Sequence, residues 1–427
     1  MTADVWRIRG GSPLRGRVTP SGSKNAALPL LAASLLLDGQ SVFHNVPRIA
    51  DVETMLDLLR ALGLQVEEGA QGQLLVTNHG LTTHRAPGDL VARMRASHYL
   101  LAPALARLGR VELPQTGGCT IGDRPLAYIL DGLIALGAEC LECNDRVEAR
   151  ASRLIGAPVA LDPKFRSPGA TFTLLMAAAL AEGTTVVENA SFEPDVLSLC
   201  ELLQAAGARI EGAGTERLTI HGVSALQGVT HRVNSDRLEA GTLLCAAVAT
   251  RGEVRVESIT GAELGAIAGA LTEAGVEIGE EEGGVRARWA GRPRGLRLET
   301  EPFPHFPTDL QPPLAAVLAT AEGESTITET IFSHRLQYVP ELQRMGADME
   351  ALDDRHVVVR GVPALHGAEV AGGNIRDGAA LVVAALGAEG ESRVAGRRYV
   401  ARGYERLEEK LRGLGADIEI LAEDPAQ

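Results

Sequence analysis

The sequence predicts an α/β protein in which bundles of buried helices are surrounded by sheet, and three observations carry that prediction. A glycine that follows an apolar helical run and precedes a strand recurs at Gly63, Gly137, Gly207, Gly275, Gly346 and Gly415, at spacings of 74, 70, 68, 71 and 69 residues. Six copies of one unit therefore fill the 427-residue chain. Each copy carries an earlier glycine that ends an alanine- and leucine-rich run: Gly39, Gly109, Gly183, Gly252, Gly323 and Gly390. Those runs, Leu28–Leu37, Tyr99–Ala106, Thr173–Ala181, Thr242–Ala249, Leu314–Ala319 and Ala379–Leu386, hold no charge except at their margins, so they are apolar nearly all round and must be buried.

Within each copy the order reads helix, glycine, strand, loop, helix, glycine, strand and then another strand or hairpin, a βαβαββ-type unit. The second helices, Val52–Ala61, Val196–Ala206, Val339–Met345 and Tyr404–Leu414, mix charged and apolar positions at helical spacing, as expected of helices packed at a surface. Aromatic residues make up only 3% of the chain, so alanine, leucine and valine must fill the cores.

One copy departs from the pattern. The distance between its two glycines is 24, 28, 24, 23, 23 and 25 residues along the series, so the second copy alone is stretched. The stretch contains Leu113–Pro125, with three glycines, two prolines, Cys119 and an Asp123-Arg124 pair, a composition that neither a helix nor a strand interior tolerates. We read it as a mobile functional loop. A thiol in such a loop is open to oxidation, and Arg124 with nearby backbone N–H groups favours its thiolate.

Net charge is −14 and the isoelectric point about 5.3, which argues against nucleic-acid or anionic-membrane partners. The N-terminal residues lack the apolar core of a signal peptide, and no uncharged apolar stretch reaches the length of a membrane span, so the expected location is the cytoplasm. Five cysteines are too few for a disulfide framework. Cys140 and Cys143 have metal-site spacing but read as part of a strand, with no second Cys or His pair, so no metal is expected. Cys200 and Cys245 lie in apolar helical runs and are expected in the core.

Chemistry gathers just before the buried helices: Gly22-Ser23-Lys24-Asn25, Arg93 to Ser97, Ser167 to Thr171, Asp236-Arg237, Phe306-Pro307-Thr308-Asp309 and Asn374-Ile375-Arg376-Asp377. If the copies are related by rotation, these helix N-termini face a common side and form an anion site. Arg48, Arg124, Arg335 and Arg402, in the strand-to-helix loops, add cations at equivalent positions. Cations converging in an acidic protein point to a small polyanionic substrate.

Ser21 to Pro29, Met94-Arg95-Ala96-Ser97, Gly117 to Pro125, Phe306 to Asp309 and Arg402-Gly403-Tyr404-Glu405 together resemble the UDP-N-acetylglucosamine enolpyruvyl transferases, of the enolpyruvyl transferase family. The resemblance runs through all six copies. It implies two inside-out α/β barrels of three repeats each, residues 24–233 forming one domain and residues 1–23 with 234–427 the other. The implied reaction moves the enolpyruvyl group of phosphoenolpyruvate to the 3′-hydroxyl of UDP-N-acetylglucosamine, releasing phosphate, at the first committed step of peptidoglycan synthesis, with no cofactor.

By that resemblance Lys24, Arg124 and Arg402 hold the phosphate, with Asn25 beside them, and Arg335 and Arg376 lie near the carboxylate of phosphoenolpyruvate. Asp309 faces the sugar hydroxyl as its base, and Cys119 is the loop proton donor and the target of fosfomycin. Arg95, Arg124, Pro125, Leu126, Ala127, Tyr128, Ser167 and Ile331 fall where the family grips the nucleotide sugar, alongside Asp309. Closure of the domains and the cysteine loop is implied to exclude water. The chain departs from the family pattern at Gln115-Thr116, which lengthen the loop, at Asn374 and Ala401, which replace aspartates, and at Pro168. The loss of two carboxylates leads us to expect altered orientation of the neighbouring cations and slower turnover. Three other readings stay open: a weakly active paralogue that serves as a nucleotide-sugar-binding regulator; 5-enolpyruvylshikimate-3-phosphate synthase, whose Gly-Asp-Lys-Ser entry is replaced here by Gly22-Ser23-Lys24-Asn25; and a purely structural repeat protein, which gives no reason for the cation clusters.

Overall fold

The structure, a computed structural model, describes residues 4–115, 117, 126–143, 145–289 and 291–421. They form two compact units, residues 22–117 with 126–234 and residues 4–21 with 235–421, so the chain leaves one unit after Ser21 and returns to it at Ser235.

In the unit that holds both ends of the described chain, three helices, Arg237–Ala249, Gln311–Leu318 and Ile375–Gly387, pack on one another, each with nearly every residue buried. Three four-stranded sheets surround them. One orders Glu369–Ala371, Glu391–Ala395, Val5–Arg9 and Asp417–Ile420; the second Glu277–Glu281, Gly284–Arg288, Glu253–Glu257 and Arg15–Val18; the third Arg297–Glu299, Glu324–Thr328, His356–Arg360 and Asp348–Ala351. Each sheet buries one face, as strand alternation requires: Trp6, Ile8, Val254, Val256, Ile327, Val357 and Val359 point to the helices. The two N-terminal strands complete the sheets of different repeats, which explains why residues 4–21 belong to this unit.

The other unit repeats the plan with helices Lys24–Ala33, Leu101–Leu108 and Pro168–Ala178 inside. Its sheets are built on Leu37–His44, Arg146–Arg150 and Thr184–Glu188. Leu226–Gln227 and Thr230–Arg232, at the end of the unit, run parallel to Leu37–His44 and give the first repeat the strand its own sequence lacks. Both units are therefore α/β barrels turned inside out, helices in the centre and sheet outside, with three repeats in each.

The glycine period has a single cause. All six glycines of the later set have φ between 88° and 110°, and the residue after each donates its N–H to a leucine carbonyl five positions back. The pairs are Leu64 to Leu59, Ala138 to Leu133, Ala208 to Leu203, Val276 to Leu271, Ala347 to Leu342 and Ala416 to Leu411, at 2.9 to 3.1 Å. This is the helix-terminating motif in which a left-handed residue turns the chain out of the helix towards the next strand. Gly252 alone in the earlier set lacks a positive φ: Arg251 takes the turn at φ 53°, and Gly252 is needed instead because a Cβ there would lie 2.1 Å from the Leu14 carbonyl oxygen.

The buried helices begin four to five residues ahead of most of the expected runs. Lys24, Pro168, Arg237 and Arg376 are inside their first turns. A polar residue at a buried N-terminus is compatible with helix when a capping side chain takes up the free N–H groups. Ser23, Ser167, Asp236 and Asn374 do so in four helices, and short 3₁₀ turns, Arg95–Leu100 and Thr308–Leu310, lead into the other two. Pro168 occupies the first helical position, where no N–H is required, so it fits the helix rather than interrupting it. Of the second helices, the last begins at Leu407, not Tyr404, whose ring is instead buried against Arg376.

Cys245, on the central helix Arg237–Ala249, and Cys200, on the inner face of the second-type helix Pro194–Ala205, are both fully buried, and burial pushes both thiols up to about 12. Cys140 lies on the strand Glu139–Glu142, with its thiol pushed up to about 11 by burial, and Cys143 follows in the hairpin turn. No helix among the described residues is long and apolar enough to cross a membrane.

Candidate active site

Asp309 enters from the 3₁₀ turn Thr308–Leu310, whose backbone is fixed because the Arg335 side chain donates Nε and Nη2 to the Thr308 carbonyl at 3.3 and 3.2 Å. Arg335 Nη2 also donates to Asp309 Oδ1, and Arg376 donates Nε and Nη2 to Oδ2 at 3.1 and 2.9 Å. The arginine side chains are only 1% and 4% exposed, whereas Asp309 is 24% exposed. Two buried cations thus converge on one carboxylate that keeps an open side, an arrangement stabilised by low dielectric and multiple donors.

Around this pair lies a buried polar network. Thr308 Oγ1 donates to Glu329 Oε2 at 2.9 Å, and the other Glu329 oxygen accepts the N–H groups of Ile331 and Phe332 at 2.8 and 3.0 Å. Ile331 is thereby positioned through its backbone. Gln311 donates Nε2 to the Tyr338 hydroxyl at 2.7 Å, and burial raises that phenol above its usual range. The Arg376 guanidinium lies 5.3 Å from the Tyr404 ring centre, and Tyr404 shares a 2.9 Å hydrogen bond with Thr242. Arg402, half-buried, sits in the turn between Val400 and Tyr404, its N–H bonded to the Tyr399 carbonyl at 3.2 Å.

Asn374 caps the helix that carries Arg376, accepting the N–H groups of Arg376 and Asp377 at 3.0 Å each. Its amide Nδ2 donates to Asp377 Oδ2 at 2.5 Å. A carboxyl group stands one turn along, at Asp377, 2% exposed and in the field of Arg335. Burial is the main influence on Asp377 and raises it to about 7, against the opposing pull of Arg335 and Asn374.

The other unit places the remaining described residues. Lys24 Nζ lies 3.9 Å from Asp51 Oδ2, with side chains 15% and 8% exposed, and Asn25 follows on the same first turn. Arg95 begins the 3₁₀ turn below which His98 Nδ1 bonds the Arg95 carbonyl at 2.7 Å, and burial lowers the Arg95 guanidinium from its usual value. Ser167 caps its helix by accepting the Ala170 N–H at 3.3 Å. Leu126 immediately precedes the helix Ala127–Ala135, on which Tyr128 is exposed with its ring 6.3 Å from that of Phe165. Arg48 faces solvent and pairs with exposed Glu68 at 3.4 Å, as an ordinary surface ion pair. Cys119, Arg124 and Pro125 lie outside the described residues.

The residue that sequence reasoning passed over most completely is Glu329, because a glutamate at a strand end looks like any exposed one until the fold buries it to 0% exposure. Asp51 was hidden for the same reason, inside an amphipathic helix. Asp377 stood in the helix-start motif but received no role, since its pairing with Asn374 depends on the helix beginning at Ile375.

Comparison with known proteins agrees with this architecture. The profile of the EPSP synthase (3-phosphoshikimate 1-carboxyvinyltransferase) family matches residues 8–411. The UDP-N-acetylglucosamine 1-carboxyvinyltransferase of Halorhodospira halophila is 45% identical over 412 residues, covering 96% of this chain and 98% of that protein. The protein of the same name from Gluconacetobacter diazotrophicus is 46% identical over 422 residues, covering 98% and 100%. Among solved structures, an enolpyruvyl transferase from Streptomyces tendae superposes with a TM-score of 0.85 at 28% identity, over 98% of this chain and 99% of that one. An EPSP synthase from Acinetobacter baumannii shares the fold with a TM-score of 0.76 at 19% identity, over 98% and 100%. With the inside-out barrels, the paired arginines on Asp309 and a match along nearly its whole length, this chain belongs to the enolpyruvyl (carboxyvinyl) transferase family.

Proposed function

We propose that the protein transfers the enolpyruvyl group of phosphoenolpyruvate to the 3′-hydroxyl of UDP-N-acetylglucosamine with release of phosphate, a cytoplasmic step of peptidoglycan synthesis. The observation that carries this reading is identity of 45% along almost the entire chain to a relative bearing that activity in its name. The geometry of Asp309 supports it.

The chemistry has four requirements. The methylene carbon of phosphoenolpyruvate takes a proton, the sugar oxygen attacks the adjacent carbon as its own proton leaves, and the resulting adduct then loses phosphate and one methyl proton to restore the enol ether. Cations must hold phosphate and carboxylate while charge builds at the central carbon. Asp309 is the base for the sugar hydroxyl. Lys24, Asn25, Arg124 and Arg402 take the phosphate side and Arg335 and Arg376 the carboxylate side, while Cys119 delivers the proton. Arg95, Arg124, Pro125, Leu126, Ala127, Tyr128, Ser167 and Ile331 hold the nucleotide sugar.

What the described residues contribute to these roles is preorganisation. Arg335 and Arg376 are fixed by hydrogen bonds before any substrate arrives, so little reorganisation is needed when charge develops. A phosphate-release assay with phosphoenolpyruvate and UDP-N-acetylglucosamine, run beside one with shikimate 3-phosphate, tests the reading. Release with the nucleotide sugar and none with shikimate 3-phosphate is expected; the reverse overturns it.

A further inference from the structure

Two carboxyl groups in this buried network have no part in the proposed chemistry, and of these Glu329 is hydrogen-bonded on both oxygens whereas Asp377 is not. Its side chain is 2% exposed, on the first turn of the helix Ile375–Gly387. Oδ2 accepts the Asn374 amide at 2.5 Å, and Oδ1 has no hydrogen-bond partner among the described residues. A buried carboxyl oxygen without a partner is costly and calls for a reason. Gln311 Oε1 and Arg376 Nη1 are likewise buried with no hydrogen-bond partner among the described residues. Asp377 follows Arg376, one of the two arginines that grip Asp309, on the same helical turn, and it lies in the field of Arg335, the other.

We propose that Asp377 is a positioning residue which, through Arg335, sets how strongly Asp309 is held and therefore how readily Asp309 accepts the proton of the acceptor hydroxyl. The proposal rests on the reading of Asp309 as the base. Two guanidinium groups face the one carboxylate of Asp309, which stabilises its charged form and opposes proton uptake. A second anion in the field of Arg335 offsets part of that grip. The group can take either state near neutrality, because burial opposes its charge while Arg335 and the Asn374 amide favour it.

The other charges that bear on this spot are accounted for. From the segment before the helix Val339–Arg344 come Arg335 and Tyr338, and Tyr338 senses both Asp377 and Glu329. Arg376, on the same helix as Asp377, answers to Tyr404, Asp309 and Asp236. From the neighbouring helix Arg397–Val400, Arg397 is engaged by Glu408 at 3.2 Å. The strands Val5–Arg9 and Glu391–Ala395 turn Trp6, Ile8, Ser392 and Val394 inward, none of them titratable in this range. The buried helices Gln311–Leu318 and Arg237–Ala249 add Gln311, uncharged, and the capping Asp236, Arg237, whose guanidinium lies over the Phe303 ring, and Glu239, taken up by Lys410.

The experiment is kcat against pH from 6 to 8.5 for the wild type and Asp377→Asn, with saturating phosphoenolpyruvate and UDP-N-acetylglucosamine. An asparagine imitates the protonated acid, so the two enzymes are expected to converge at pH 6 and to separate several-fold above pH 8, with the wild type faster. A wild-type to variant ratio that is constant across the range describes a merely structural residue and overturns the proposal. Asn374→Asp serves if the first variant does not fold, since aspartate caps a helix as well as asparagine. It replaces the amide donor on Asp377 by a second carboxyl, so the pair titrates jointly and the rise in kcat moves to higher pH. A rise that stays in place overturns the proposal too. An active wild type with a constant ratio refutes the role of Asp377 alone, whereas a wild type that releases no phosphate refutes the function on which it depends.

Discussion

Asp309 accepts two hydrogen bonds from Arg376 on the single oxygen Oδ2, at 3.1 and 2.9 Å, and this leaves Oδ1 to Arg335. The carboxylate is therefore held by both its oxygens yet stays partly open, as a base must be if it is to meet a substrate hydroxyl within hydrogen-bond reach. Substituting Asp309→Asn keeps the shape and one acceptor but removes the base. Turnover is expected to fall by about 10²-fold to 10⁴-fold, the usual worth of general acid–base catalysis, with UDP-N-acetylglucosamine affinity by calorimetry little changed. Near-normal turnover would remove Asp309 from the mechanism.

Lys24 stands on the first turn of its helix, next to Asp51, where both side chains are largely shielded from water. As a phosphate ligand it makes a charge-assisted bond, so Lys24→Ala is expected to lower kcat/KM for phosphoenolpyruvate by roughly 10-fold to 10²-fold. The measurement is steady-state kinetics with the nucleotide sugar saturating. An unchanged value excludes contact with the phosphate.

The ionisation of Asp377 has a consequence for stability that needs no substrate. Its folded value, about 7, lies above the ordinary 3.8, so between those values the folded state retains a proton that the unfolded chain has released. Stability from this group is present below pH 4 and is lost as pH rises towards 7. Asp377→Asn removes that dependence, so the melting temperature of the variant relative to wild type is expected to climb from pH 5 to pH 8. A difference that does not vary with pH contradicts a raised Asp377.

At Gly415 the φ is 98° and a Cβ would meet nothing within 4 Å, so substitution there isolates the backbone cost of the helix-ending turn. Gly415→Ala is expected to destabilise the protein by about 1–2 kcal/mol. Chemical denaturation followed by circular dichroism gives the value, and a neutral result would break the link between the glycine period and the turn geometry.

Cys119 is the proposed proton donor and the proposed site of fosfomycin attack. Incubation with fosfomycin and UDP-N-acetylglucosamine is expected to add one drug mass, mapped to Cys119, and Cys119→Asp to retain some turnover while escaping the adduct. An adduct on Cys140, Cys143, Cys200 or Cys245 instead would argue against the assignment. Burial already holds the thiols of Cys140, Cys200 and Cys245 in their protonated, unreactive form at neutral pH.

The sequence by itself determined the repeat, the six buried helices and the family. Each of these is written in local terms: a glycine whose φ only glycine adopts cheaply, an uncharged run too apolar to face water, a motif of adjacent residues. It located the helix starts too late, because Lys24, Arg237 and Arg376 look like loop residues until a cap from Ser23, Asp236 or Asn374 makes a polar first turn compatible with burial. Only the tertiary structure decided the partnerships. Asp309 meets Arg376 across 67 positions and Arg335 across 26, and Glu329 reaches Thr308 across 21. Such pairs are brought together by packing three helices inside three sheets, and burial then turns ordinary charged residues into a network whose strengths depend on exclusion of water, which no residue carries in its own name.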